Sequence, residues 1–566
     1  MKLISLKIGE RFRSLPPNFE LDFQKELNRA NVSEFRPYCL VGLNGCGKSN
    51  VLEALAHIFY HLELCVSINL PSQLQAGDIF SRTGGVLGSY HLEYFWYDRD
   101  TVDLDLEKVL KVTIEKNDNQ APRMYVSGIN SNNDNRRIVS LEPSFGNGMA
   151  AEGKKYLPKY VVAYSSGENE TLSIPFIKAR LLHLDEFREY TAKGYEGMPT
   201  PENGLIYVDA NMSQAILLCC LLFENDRTLG NLRAFDTTGI LDIKRFRMSL
   251  REHDFISMHH NKQEKLSYFK LLWDTYFRKF KQCSTMSWQD SSQGELVVYF
   301  DFYVTKATKK AFQEHFHTAI ECFQAFRLLY ELNYYKVGIQ KEKEVYNSKG
   351  IYTDGKFSLP GPEEDAFHFL DFFITKKTTK SGETKEILLK GFSDGEHQFI
   401  HTMSVCLLLK DSDSLILLDE PETHFNPNWR SLFISMLNES LCNGCSSSKK
   451  DVYTCNFLKE VLITSHSPFI ISDCLPHHVI ILRKDKNGNT IAETAAQACI
   501  KTYGASVNIL TAAIFDNADS IGRRAYKEMQ EIKDTAQDKS KAINEINQRF
   551  GESLDKLVVV SQLKGK

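Results

Sequence analysis

No run of eighteen apolar residues occurs in this 566-residue chain, so a membrane-crossing helix is not expected. The N-terminal stretch Met1 to Ile8 alternates like a strand and lacks the apolar core of a signal peptide, which makes the cytoplasm the expected compartment. A net charge of −4 excludes a globally basic nucleic-acid binder and confines any such surface to a local patch. The 13 cysteines are odd in number and scattered through apolar segments such as Cys219-Cys220 and Cys406, so they read as reduced thiols rather than a disulfide framework. Cys442-Asn443-Gly444-Cys445, with Cys455 nearby, has no fourth ligand at zinc spacing, and Ser446 to Asp451 reads as a surface loop; a metal site is not expected there.

What is present is organised around Gly42-Leu43-Asn44-Gly45-Cys46-Gly47-Lys48-Ser49, which fits the pattern G-x-x-x-x-G-K-[ST]. It follows the extended-looking Tyr38 to Val41 and opens into Asn50 to Phe59, whose apolar positions 51, 52, 55, 58 and 59 fall at helical spacing. Strand, loop and helix thus stand in the order a phosphate-binding loop requires. Gly42, Gly45 and Gly47 let the backbone turn tightly and approach a phosphate chain, and Asn44 lies in the same cofactor-binding stretch. Lys48 supplies a positive charge for the β- and γ-phosphates, and the Ser49 hydroxyl is suited to Mg²⁺. The expected cofactors are ATP and Mg²⁺.

Ordinary proportions of hydrophobic (42%) and charged (25%) residues in a chain this long imply two to four domains, or one domain split by insertions. Residues 2–8 and 19–23 predict a strand pair ahead of the loop; Arg11 and Arg13 between them are either within reach of the nucleotide or ordinary surface arginines. A mixed loop (70–89), strands at 91–97, 109–114 and 123–126, and a polar loop from Asn130 to Arg137 follow. Tyr160 to Tyr164 predicts a buried strand ending at Ser165-Ser166-Gly167-Glu168-Asn169-Glu170, read either as the edge of the nucleotide site or as a plain strand-to-helix turn capped by a serine. Residues 171 to about 355 read as mainly helical, for instance Leu266 to Phe280 and Phe312 to Tyr330, interrupted by a strand from Glu295 to Val304. The second of these patterns runs for fewer than three heptads, too short for a long coiled-coil arm. Strands at 367–374 and 386–389 flank a hairpin with a lysine-rich tip, Thr375 to Lys385. A solvated tip and a phosphate-backbone contact are both consistent with it, and no aromatic residues interleave for base stacking.

Past the hairpin, Ser393-Asp394-Gly395-Glu396 precedes a helix, Phe399 to Lys410. Leu415 to Leu418 then predicts a buried strand delivering Asp419 and Glu420 at its end. This is a Walker B arrangement: Asp419 as the Mg²⁺ residue beside Ser49, Glu420 as the group that polarises an attacking water. Val461 to Thr464 predicts another strand, ending near His466, which in this position suits a hydrogen bond to the γ-phosphate and orientation of the water.

Taken in order, the P-loop, Ser-x-Gly-Glu, Asp-Glu, His424-Phe425-Asn426-Pro427 and His466 resemble an ATP-binding-cassette ATPase head of the SMC/RecF/OLD kind. The compact insertion, the 164–170 segment and Thr502-Tyr503-Gly504-Ala505-Ser506 are most similar to the PtuA ATPases of Septu and retron-associated anti-phage systems. The resemblance implies an α/β fold: an ABC-type P-loop head in two parts, 1–170 and 355–500, split by a mainly helical insertion, 171–354, with a helical C-terminal region, 501–566. It also implies a homodimer sandwiching two ATPs, with Ser393 and Gly395 of one copy completing the site at Lys48 of the other. Position 394 is Asp where many signatures carry Gly, and no Q-loop glutamine is assigned.

The same resemblance implies a regulatory ATPase in an anti-phage complex, partnered by a separately encoded HNH-type nuclease and, in a retron, by a reverse transcriptase with its RNA–DNA product. Nucleic acid would be met through that complex. The alternative is a RecF-like DNA repair or recombination ATPase. Residues 500–566 carry a mixed-charge helix, Ile521 to Phe550, without an Asp-x-Asp constellation, and His253, His259 and His260 lack HNH spacing, so the chain itself is not expected to be a nuclease.

Overall fold

The computed structural model describes residues 1–23, 34–68, 70–71, 74, 80–97, 106–129, 136–143, 150–167, 169–192, 201–251, 273–291, 296–336, 339–348, 365–442, 457–516 and 521–565. Three sheets form the α/β framework. The central one has seven strands in the spatial order Thr490–Thr494, Val479–Lys484, Tyr38–Val41, Lys459–Ser465, Ser414–Asp419, Tyr160–Ser165 and Leu205–Tyr207. All run parallel except Thr490–Thr494. The three innermost strands are buried along their whole length, which is why they read as short continuous apolar runs rather than alternating ones.

Alternate residues of these strands feed two cores. Leu40, Leu415, Leu417 and Leu462 face the helix Lys48–Val66, and beyond it a six-stranded antiparallel sheet built from Lys2–Ile8, Phe19–Asp22 and the strands between Tyr90 and Val139. Cys39, Val41, Ile416, Leu418 and Ile463 face the helices Ala210–Phe223, Asp394–Leu408 and Pro427–Leu441. The expected pair 2–8 and 19–23 is present, but it belongs to the outer antiparallel sheet.

The third sheet corrects the reading of the insertion. Helices do predominate there, yet Ile240–Arg251, Met286–Asp290 and Val297–Tyr303 join Phe367–Lys377 and Thr384–Leu388 in a five-stranded antiparallel sheet. Ile240–Arg251 was missed for a physical reason: register shifts against Phe367–Lys377 place its buried Ile240, Ile243 and Phe246 three residues apart, which imitates a helical stripe. The hairpin predicted around the lysine-rich tip is present, turning at Gly382 with φ +95°.

Other expectations need smaller corrections. Phe312 to Tyr330 is two helices, Lys306–Phe316 and Ala319–Glu331, because Thr318 caps the second by accepting from the Glu321 N–H; an apolar stripe continues across such a cap without registering it. Ile521 to Phe550 likewise splits, with Asp538 capping Lys539–Arg549 after Arg523–Thr535; with Leu554–Lys564 these helices enclose a small core of their own. From Leu266 to Phe280, only the part from Trp273 on is described, wound first as a π-helical turn and then as an α-helix. The polar loop at 130–135, Glu168, the histidines 253, 259 and 260, and Cys445 and Cys455 lie outside the described residues.

Ten described cysteines are free, as expected, but Cys442 is disulfide-bonded to a partner outside the described residues, which corrects the all-thiol reading. Cys442 ends the helix Pro427–Leu441. Among the described residues no group of three or more His, Cys, Asp or Glu side chains is placed to hold a metal, and no helix is long and apolar enough to cross a membrane.

The insertion sheet is anchored by aromatic packing. The Phe246 ring stacks on Phe302 with centroids 4.2 Å apart, and Phe312, Phe369 and Phe372 surround it. Truncation of this buried ring in Phe246→Ala is expected to cost about 3–5 kcal/mol, read as a lowered midpoint in urea denaturation.

Candidate functional site

The C-terminal ends of four neighbouring parallel strands lie along one edge of the central sheet. Register pairs Asp419 with Thr464 on one side and with Ser165 on the other, and Ser465 with Val41. In an open α/β sheet this edge is where ligands bind. The glycine loop leaves it at Val41 and enters the helix Lys48–Val66 at once.

Three glycines of the loop adopt left-handed backbone, at φ +144°, +76° and +99° for Gly42, Gly45 and Gly47. A Cβ on Gly42 would meet the Leu482 carbonyl oxygen at 2.2 Å, so the loop is wedged against the neighbouring strand, while Leu43, Asn44 and Gly45 form an exposed rim. Lys48 is buried and curls back, donating to the carbonyls of Gly42 (3.1 Å) and Leu43 (3.3 Å). Burial lowers its pKa.

Asp419 is the meeting point. Its Oδ1 accepts from Ser49 Oγ and from Thr464 Oγ1, each at 2.7 Å. Its Oδ2 accepts from Asn169 Nδ2 at 2.8 Å and, at 3.4 Å, from Ser165 Oγ. Glu420 follows in left-handed backbone, φ +48°, away from the extended conformation that Pro421 favours in its predecessor. Its N–H is tied to the Thr464 Oγ1 (3.0 Å) and carbonyl (3.2 Å). This twist leaves the Glu420 carboxylate 3.3 Å from His466 Nε2, which itself lies 2.7 Å from Lys48 Nζ. The hydrogen bond with His466 is the main reason that the Glu420 pKa is lowered.

Lys48, Ser49, Asp419, Glu420 and His466 therefore share one cluster. Ser393 and Gly395 do not join it within the chain. Exposed Ser393 caps the helix Asp394–Leu408, its hydroxyl accepting from the Glu396 N–H while the Glu396 carboxylate accepts from the Ser393 N–H. Gly395 abuts the turn beyond Glu420, where a Cβ would meet the His424 carbonyl at 2.8 Å. Arg11 and Arg13 turn elsewhere, to Asn489 and to Glu53 on the P-loop helix.

Several members of the site were not singled out from sequence. Asn169, on Asp419, belongs to the segment after Tyr164, whose reading as the edge of this site is the one its geometry favours. Thr464 was visible only as the end of a strand; a hydroxyl there becomes meaningful once parallel register sets it opposite Asp419. Phe515 arrives through the Thr502 to Ser506 turn, its ring 5.8 Å from that of His466. Glu422 lies beneath the acidic turn, buried, with Ser465 donating to its Oε1 and no hydrogen bond to Oε2 among the described residues.

The arrangement has chemical consequences. A hydroxyl and a carboxylate, Ser49 and Asp419, offer hard oxygen donors of the kind Mg²⁺ takes, beside a lysine charge and a lowered-pKa carboxylate in contact with a histidine. The fit of a phosphate chain to the loop rests on its left-handed glycines, where side chains would clash or be strained.

Burial raises the Glu422 pKa to about 7. An acid whose pKa is raised on folding contributes most stability below its unfolded pKa, and this contribution is lost as pH rises towards the folded value. Stability should thus fall between about pH 4.5 and about pH 7 through this group, by about 3 kcal/mol in all, and Glu422→Gln should remove that part of the slope in urea titrations across pH.

The family profile described as "AAA domain, putative AbiEii toxin, Type IV TA system" matches residues 311–472, a span that holds Ser393, Asp419, Glu420 and His466 but not the glycine loop. No curated protein matches the chain. Among solved structures, the chain is similar to the SMC head domain from Thermotoga maritima, at 11% identity and TM-score 0.31, covering 87% of this chain and 99% of that one. It is also similar to the Smc head domain with an extended coiled coil from Pyrococcus furiosus, bound to the C-terminal domain of ScpA, at 12% identity and TM-score 0.31, covering 88% and 98%. A third is the Smc head domain with a coiled coil and joint from Pyrococcus yayanosii, at 11% identity and TM-score 0.29, covering 88% and 98%.

Proposed function

We propose that this chain binds and hydrolyses ATP with Mg²⁺. The observation that carries the reading is the convergence of Lys48, Ser49, Asp419, Glu420 and His466 at one sheet edge from three separate parts of the sequence. Gly42 to Ser49 would cradle the phosphates, with Lys48 released from the Gly42 and Leu43 carbonyls to meet them. Ser49 and Asp419 would hold Mg²⁺, which when bound neutralises developing phosphate charge. Glu420, ionised and oriented by His466, would accept a proton from the attacking water.

The composite dimer is part of the same proposal. Ser393 is exposed at a helix N-terminus, and its hydrogen bonds among the described residues are local; a second copy presenting Ser393 and Gly395 would close the site at Lys48. The further reading is that the dimer regulates a separately encoded HNH-type nuclease in an anti-phage complex of the PtuA kind, with or without a reverse transcriptase and its RNA–DNA product. The toxin–antitoxin wording of the family matched by residues 311–472 supports defence over the RecF-like alternative.

Lys48→Ala is expected to abolish ATP binding in calorimetry with the circular dichroism spectrum retained; unchanged affinity refutes the site. Glu420→Gln is expected to bind ATP, hydrolyse it about a hundredfold or more slowly, and accumulate as a nucleotide-bridged dimer in sedimentation analysis. Purified alone with Mg²⁺ and ATP, the chain is expected to cut neither DNA nor RNA; metal-dependent cleavage that survives Lys48→Ala would reveal a second active site.

A further inference from the structure

The five-stranded insertion sheet buries one face and turns the other outward. On the buried side lie Phe246, Met248, Phe300, Phe302, Phe369 and Phe372. On the other, period-two alternation aligns arginines on the central strand with aromatic rings from its neighbours: Arg247 is paired in register with Asp301, and Arg245 with Tyr303 and Phe373.

The contacts are those of a stacked platform. The Arg247 guanidinium lies over the Trp288 ring at 5.0 Å, and Trp288 stacks on Tyr299 with centroids 5.1 Å apart and planes 15° from parallel. Arg245 lies between two rings, 5.6 Å from Tyr303 and 5.0 Å from Phe373. Carboxylates hold both guanidinium groups in place: Asp301 at 2.9 Å from Arg247, and Asp371 at 3.5 Å from Arg245 and 3.9 Å from Arg247. Tyr303 remains 47% exposed, which leaves ring surface open to a ligand.

The lysine-rich hairpin continues this sheet. By alternation Lys377 stands on the same face as Phe373, and Lys380 stands at the tip with Glu383 nearby; Lys385 pairs with Lys376 on the opposite face, where Lys376 is bound to Glu396, and Lys244 is bound to Glu386. Between Thr375 and Lys385 no aromatic residue alternates with the lysines; apart from Phe373 just before the tip, the rings come from strands more than seventy residues earlier in the chain, joined to the same sheet by strand pairing.

We propose that this face binds single-stranded nucleic acid, with bases stacking on the Trp288, Tyr299 and Tyr303 platform and phosphates meeting Lys377 on the same face and Lys380 at the tip. Flat rings and guanidinium planes on a face that runs on to a cationic tip complement an unpaired strand lying across it, which has both free base faces and backbone charge; in a duplex the base faces are already stacked on one another. The inference does not rest on the ATPase reading.

The test uses the full chain without nucleotide, fluorescence anisotropy, and labelled oligothymidylate, oligouridylate and a mixed-sequence duplex. Both single strands are expected to bind more tightly than the duplex, and the ratio between them distinguishes a DNA from an RNA preference. Trp288→Ala with Tyr303→Ala should weaken single-strand binding about tenfold or more, while Trp288→Phe with Tyr303→Phe, which keeps the rings, should stay within about threefold of the wild type. Lys377→Ala with Lys380→Ala should flatten the salt dependence by about 0.7 per lysine. ATP affinity is expected to be unchanged in all three double variants. Equal or tighter duplex binding overturns the proposal. So does an alanine pair that binds like the wild type, or a face that binds no single strand because it serves a protein partner. Loss of ATP binding in Lys48→Ala together with retained strand binding separates this inference from the ATPase.

Discussion

Asp419 accepts hydrogen bonds from Ser49, Thr464, Asn169 and Ser165, side chains contributed by three other stretches of the chain. A carboxylate this buried is costly unless its oxygens are satisfied. Its donors come together only when Tyr160–Ser165, Ser414–Asp419 and Lys459–Ser465 pair in parallel register and the glycine loop closes over their ends. The central sheet and the site are thus one construction, since a register slip would remove the donors and exchange the residues that feed the two cores together.

From that carboxylate a chain of contacts leads outward. The turn after Glu420 is held by Gln398, whose Oε1 accepts from the His424 N–H at 2.8 Å, and by the close approach of Gly395. Phe399, Phe425 and Trp429 pack against one another beneath it. The same helix is joined to the insertion sheet by the Lys376–Glu396 pair and by Lys376 over the Phe392 ring at 4.4 Å. A change at the acidic turn has a continuous packed route to the hairpin.

The buried charges elsewhere are structural by comparison. Arg180, Asp209, Tyr334, Arg327, Glu331 and His183 form a network that ties the helix Glu170–Ala192 to Ala319–Glu331. Each charged member meets an opposite charge or a carbonyl, so the insertion is locked to the strand Leu205–Tyr207, whose carbonyls Arg180 and Arg327 also bind. The insertion and the sheet edge consequently share a polar core as well as an apolar one.

Sequence by itself determined the local features: the strand, glycine loop and helix around Lys48, the apolar run delivering Asp419 and Glu420, the strand before His466, and the hairpin from Phe367 to Leu388. Each is written within about twenty neighbouring residues or fewer, by φ-permissive glycines, apolar runs and turn chemistry. Tertiary structure alone decided the rest. Asn169 and Thr464 reach Asp419 only through strand register, Phe515 meets His466 only because a turn folds it back, and the Ile240–Arg251 strand hides behind bulges that give it a helical spacing. The face that carries the aromatic platform and, farther along, the lysine tip is likewise invisible along the chain, because its rings and its charges are assembled on one sheet by hydrogen bonds between strands distant in sequence, and local residue pattern carries no record of which strands will pair.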